Sequence, residues 1–342
     1  MRKFYSIILT FILTYPAIFA QTTRVNRQLF FADENVIEVT LSTDLKKLRI
    51  EKKVPVWQPA NIAMRFEDSS VINEEIKVEP RGVYRKNNCD IASLMFNFKN
   101  PSSPRLSPLK KLKMVGGCGT GTAAEELLLK EYLVYKIYNI VSMMSFKVRL
   151  LHINYKDSKQ KVKPYSQYAF LIEDIDDLTK RNNCKEIKKR EFPSEATNRQ
   201  HMTLICLFQY MIGNTDWSVP KYHNIKLMSP RNDSSALPYA IPYDFDFAGL
   251  VNAAYAVPNE ELGIKSVRDR LYRGFERSMD ELQEAVAIFK EKKSRIMYAI
   301  DSFTLLSERT RKDMSKYVES FYKTIDNKRS IQYFFIANSR KQ

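Results

Sequence analysis

The chain has 342 residues, 44% of them hydrophobic, enough for one two-lobed domain or two small ones with a sizeable core. Lys and Arg number 55 against 39 Asp and Glu; the resulting charge of +16 favours contact with polyanions such as phosphate groups, acidic polysaccharide or an anionic membrane surface. Three scattered histidines and four cysteines without a CxxC give a zinc site little support.

Arg2 and Lys3 open the chain, an uncharged apolar run fills residues 4–19, and the small Ala20 ends it. That order is the grammar of a signal peptide cut near Ala20, and it predicts an exported protein, periplasmic or extracellular. No later stretch is long and apolar enough to span a bilayer, so no transmembrane segment is expected after cleavage. Specific nucleic acid is a weak partner for an exported chain. Export also takes Cys89, Cys118, Cys184 and Cys206 into an oxidising compartment.

Short β-type runs follow, such as residues 36–41 and 74–79, and two more strands are expected at 94–98 and 112–115. Cys89 and Cys118 lie just outside neighbouring strands of this region and are the predicted disulfide; Cys206, on an apolar helix face, is expected to be a buried free thiol. A glycine cluster at 116–121 leads into a helix over 123–141, with Leu127, Val134 and Tyr138 on one face and Glu131 the one acid on that stripe. Strands return at 147–154 and 168–172, and an acidic run starts at Glu173. The remainder reads as mostly helical: 199–211 stopped by Gly213, a helix opened by a Ser278/Glu281 capping box, and another capped by Ser307 and reaching Ile325. Antiparallel strands first and helices last predict an α+β architecture: a leader at 1–20, a β-rich N-terminal lobe at 21–173 with one long helix, and a helical C-terminal lobe at 174–342.

The chemistry-bearing segment runs from Gly213 to Leu250. Asp216 follows a helix, Asn224 leads into a strand, and Asp244 and Asp246 follow the next one. Taken singly, such residues are ordinary turn formers. As a set they match what phosphoryl transfer uses, one Asp to orient the attacking hydroxyl and hard oxygen ligands to hold Mg²⁺ against nucleotide phosphates. The order of a β lobe, a Glu-bearing helix, an acidic-ended strand, an Asp loop, an Asn and a DxD resembles the CotH-type atypical protein kinases, distant relatives of phosphoinositide-3-kinase and HipA-like kinases. Pro80-Arg81-Gly82 with Arg85, residues 130–135, residues 168–175 and residues 244–249 carry the similarity.

The resemblance implies a two-lobed protein-kinase-like fold and a secreted kinase using ATP or another nucleotide with Mg²⁺ or Mn²⁺, acting on a protein or small-molecule hydroxyl. It implies Asp216 as catalytic base, Asn224, Asp244 and Asp246 as metal ligands, and Glu131 as the partner of a phosphate-binding lysine. Lys113 is the first choice for that lysine, with Lys99 and Lys111 behind it. The gap between Asp216 and Asn224 is longer than the family pattern, so a catalytically inactive protein that binds an anionic partner is the alternative. Residues 119–124 also fit the G-x-G-x-x-A turn of a dinucleotide fold, but the preceding sequence is not a βαβ unit.

Overall fold

The computed structural model describes residues 28–341 except Pro55, Asn100, Ser107 and Thr120; the expected signal peptide lies outside the described residues. Seven strands carry the N-terminal half: β1 (Ile37–Thr43), β2 (Gln58–Arg65), β3 (Val71–Arg81), β4 (Ser93–Asn97), β5 (Lys111–Gly116), β6 (Val148–Asp157) and β7 (Tyr165–Ile172). They alternate apolar residues inward, Ile37, Val39 and Leu41 on β1 and Leu151, Ile153 and Tyr155 on β6. Period-two alternation of this kind gives one buried face per strand.

The two-lobed kinase-like fold is not what forms. The strands lie in the order β1-β2-β3-β4-β5-β7-β6, and β1 pairs parallel with β6, Ile37 opposite Leu151 through Thr43 opposite Asp157, so the sheet is a closed barrel rather than the open antiparallel sheet of an N-terminal lobe. The physical reason lies in β1: antiparallel to β2 on one side, it satisfies its other edge by meeting β6, and closure leaves no exposed edge. Phe30 and Phe31, from a helical turn at 28–32, belong to the barrel core, as do Leu45 and Leu48 of α1 (Leu45–Ile50).

Outside the barrel, α2 (Val83–Asn88) follows β3, and α3 (Thr122–Val141) packs over the outward residues Val148, Leu150 and Phe170. The same core continues into the C-terminal half, through α4 (Ile175–Arg181), α5 (Arg199–Ile212), α6 (Met279–Asp301) and α7 (Glu308–Ile325). That half is not all helix. Strands β8 (Cys184–Ile187), β9 (Ile225–Pro230) and β10 (Tyr239–Pro242) make an antiparallel sheet in the order β10-β9-β8. Among the described residues, no helix is long and apolar enough to cross a membrane.

The predicted caps are present: Ser278 and Glu281 form a capping box on α6, Ser307 caps α7, and Gly213 ends α5 in the left-handed region at φ 66°. The Cys89–Cys118 disulfide is formed, and Cys184 and Cys206 are buried free thiols. Gly213 is fixed twice over, because a Cβ there would sit 2.1 Å from the Tyr317 hydroxyl in a backbone conformation that L side chains avoid. Gly213→Ala is expected to cost about 2–4 kcal/mol from the left-handed backbone and overpacking together. Urea unfolding of the two proteins checks it, and a change below 1 kcal/mol would contradict this account.

Candidate functional site

Gly213 turns the chain out of α5, and the following loop holds Asp216. Its backbone N–H donates to Asn214 Oδ1 at 3.0 Å, and Gly249 N–H donates to the Gly213 carbonyl at 3.0 Å, tying this loop to the segment after β10. Asn224 Nδ2 donates both to Asp216 Oδ2 and to the Asp216 carbonyl at 2.9 Å. His223 Nε2 meets Asp216 Oδ1 at 2.8 Å. The Asn224 carbonyl in turn accepts from Tyr243 N–H at 3.1 Å, which places the Asp244-Phe245-Asp246 run beside the Asp216 loop.

Asn224 and Asp244 both hold positive φ, 51° and 62°. Asn and Asp tolerate that region better than other side-chain-bearing residues, and backbone of this kind is stored where the surroundings fix it. The Asp244 N–H donates to the Tyr135 hydroxyl of α3 at 2.8 Å. Asp246 is buried; its Oδ2 accepts from the Tyr255 hydroxyl at 3.0 Å and lies 3.8 Å from Arg85 Nη2. Burial, then the neighbouring Asp244, pushes the Asp246 carboxyl up to about 6, and Asp216 adds to the rise.

The expected Glu131–Lys113 ion pair is replaced. Glu131 grips Arg85 instead, Oε2 to Nη2 at 2.8 Å, and Arg85 also donates to the Gly116 carbonyl. The reason is placement. Arg85 sits on α2, whose last turn runs into Cys89, and the disulfide to Cys118 pulls α2 against the glycine segment that enters α3. Burial pushes the Glu131 carboxyl up while Arg85 pulls it down, and Glu131 Oε1 is buried with no hydrogen-bond partner among the described residues.

Lys113 points outward from the barrel and makes no ion pair among the described residues. It borders a cavity of about 90 Å³ with Arg81, Arg85, Lys226, Tyr135, Tyr243, Asp244 and Asp246. Burial lowers its pKa, and Arg81 and Lys226 lower it further, while Asp174 and Glu186 oppose the fall. Lys226 leans on Glu186 at 3.2 Å. Lys111 lies over the Trp57 ring and Lys99 is exposed; neither borders this cavity. Asp216 does not line it either. It opens on a second cavity of about 260 Å³ with Trp217, His223, Phe247 and Arg273, so Asp216 and the Asp244–Asp246 pair border different cavities.

Sequence reasoning missed the pairing of Arg85, the cations Arg81 and Lys226, and His223. Arg85 was legible in one respect: four residues before a disulfide cysteine, it must follow that cysteine toward the glycine cluster. As to a metal, no group of three or more His, Cys, Asp or Glu among the described residues could hold an ion by itself. Mg²⁺ typically takes one or two carboxylates and completes its shell with waters and phosphates; Asp244 and Asp246 border one cavity, where Asp246 Oδ2 already accepts from the Tyr255 hydroxyl. No model of a known protein family matches the chain, and no curated protein matches it.

Two outcomes follow from this geometry. Replacing both Cys89 and Cys118 by Ser removes a 29-residue cross-link and should cost about 3–4 kcal/mol by loop entropy, read from urea unfolding under oxidising conditions. Asp246→Asn should raise the melting temperature at pH 7.5. The folded-state pKa is above the unfolded value, so ionising Asp246 costs stability as pH rises from about 4 to about 6. The gain should shrink toward pH 4, where Asp246 keeps its proton; a gain independent of pH would contradict the assignment.

Proposed function

We propose that the cleft handles a phosphorylated ligand and that the protein transfers a phosphoryl group from a nucleotide to a hydroxyl. The observation that carries this reading is the crowding of Lys113, Arg81 and Lys226 on a cavity of phosphate-group size, with Asp244 and Asp246 on its rim. Three cations facing one another repel, and a phosphate oxygen set placed among them turns that repulsion into charge-assisted hydrogen bonds. The reading rests on these side chains and not on the overall fold, which by itself assigns no function.

In this scheme Lys113 and Arg81 bind and orient the terminal phosphate. Asp244 and Asp246 would hold Mg²⁺ or Mn²⁺, which supplies charge neutralisation at the phosphates when bound. Asp216, fixed by Asn224 and His223, faces the second cavity, where an acceptor hydroxyl can hydrogen-bond to it and pass it a proton. Arg85 takes no part in that proton movement; held by Glu131, it keeps Asp246 in place. A second reading, capture of an anionic partner without turnover, is favoured by the protein partners that Asp216 and Asp246 already have. Export, with a periplasmic or extracellular site of action, belongs to both readings.

Labelled ATP with Mg²⁺ or Mn²⁺ separates them. The transfer reading expects label on an acceptor, lowered about 100-fold or more in Asp216→Ala with nucleotide binding retained. Equal labelling by both proteins would remove Asp216 from catalysis. Nucleotide binding lost in Lys113→Ala, with no labelling by any protein, would establish the binding reading instead.

A further inference from the structure

The cavity that Asp216 borders has a basic rim. Its volume, about 260 Å³, falls short of the roughly 300–1,000 Å³ of whole small-molecule sites, so it suits a side chain whose parent molecule continues outside. Trp217, Phe247, Val257, Pro258 and Leu262 contribute apolar wall. Such a wall accepts a side chain with an apolar body and a hydroxyl tip better than a sugar ring, which carries hydroxyls on every side.

The loop after β8 forms the rim. The Glu191 N–H donates to the Pro220 carbonyl at 2.7 Å and the Tyr222 hydroxyl to the Ile187 carbonyl at 3.2 Å, so this loop runs beside the turn that brings Lys221 to the cavity. Residues 185–191 and 218–223 hold Lys185, Lys188, Lys189, Arg190 and Lys221 against Glu186 and Glu191. Glu186 is already shared between Lys188 at 3.5 Å and Lys226 at 3.2 Å. Lys189, Arg190 and Lys221 are exposed and make no ion pair among the described residues. Arg273, on the cavity wall, donates to the Thr215 and Trp217 carbonyls, which leave its charge uncancelled. The acids on that wall are Asp216, held by Asn224 and His223, and the exposed Glu261. Positive charge is therefore in excess where a molecule entering the cavity must cross, and an acidic partner complements it.

We propose that this cavity and its rim bind an acidic peptide, with a hydroxyl side chain directed to Asp216 and flanking carboxylates on Lys189, Arg190 and Lys221. Calling that hydroxyl the acceptor rests on the phosphoryl-transfer reading; the peptide site itself does not. On transfer the hydroxyl oxygen forms the new P–O bond, its proton passes to Asp216, and the nucleoside diphosphate leaves with the electrons of the broken P–O bond.

Fluorescence anisotropy of the full chain with three labelled peptides tests it, each with a serine and a tyrosine at its centre and flanked by glutamate, glutamine or lysine. The expected result is saturable binding of the glutamate peptide at one per chain, at least tenfold tighter than either of the others, with the preference fading as salt rises. Combined Lys189→Glu, Arg190→Glu and Lys221→Glu, all at exposed positions, should weaken it at least tenfold at parental melting temperature. Because the whole chain is basic, the same charge change at the exposed Lys159, Lys161 and Lys163, between β6 and β7, is the control and should weaken it less than threefold. No saturable binding, equal binding of the glutamine peptide, or equal loss in the two charge-reversed proteins would overturn the proposal. Labelled ATP and Mg²⁺ added with the glutamate peptide test the transfer reading separately: a bound peptide that takes up no label removes transfer and leaves the peptide site standing.

Discussion

The ion pair between Arg85 and Glu131 is the constraint on which the cleft depends. Glu131 is 1% exposed and the Arg85 side chain 11%, so both charges have left water and neither tolerates losing the other. Because Arg85 also reaches the Gly116 carbonyl and approaches Asp246, one guanidinium joins α2, the end of β5, α3 and the segment after β10. The α2 and post-β10 pieces lie about 160 residues apart in sequence. Without a fixed cation between them, Glu131, Asp244 and Asp246 would be three acids in a space that burial already makes hostile to charge, which is the meaning of the raised pKa values of Glu131 and Asp246.

The disulfide and the positive-φ residues serve the same end by different physics. Cys89–Cys118 acts on the unfolded chain, lowering the entropy lost when α2 meets the glycine segment. Asn224 and Asp244 act in the folded state, turning the backbone so that an amide faces Asp216 and a carboxylate faces the cavity. Asn224 directly precedes β9 and Asp244 lies two residues after β10 of the small β10-β9-β8 sheet, whose hydrogen bonds hold the turns. A site made of loops is thereby carried on short, rigid supports.

Local pattern exposed much of this and topology little of it. The inward alternation of β1, β4 and β6, the stripe of α3, the capping box at Ser278 and the glycine stop at 213 are all short-range signals, and each element formed where its signal lay. Barrel closure is long-range. It depends on residues 37–43 meeting residues 151–157 in parallel, and a strand's sequence carries no mark of which edge it will find. The partner of Glu131 was hidden for a related reason. Spacing identifies an acid on a helix face, but which cation reaches it is decided by how α2 packs, and Arg85 reaches Glu131 where Lys113 does not.

The change of fold alters what the recurring residues can be taken to mean. Asp216 and Asn224 are hydrogen-bonded to each other, but Asp216 opens on one cavity and Asp244 and Asp246 on another, beside a closed barrel. Only side-chain chemistry then bears on function. On the phosphoryl-transfer proposal, a phosphate group would sit among Lys113, Arg81 and Lys226 in the cavity of about 90 Å³, and the remainder of the nucleotide would lie outside it. Binding energy would therefore concentrate on the phosphate, where the charges are. A site built in that way discriminates by phosphate chemistry more than by base, because discrimination requires contacts that differ between the competing ligands.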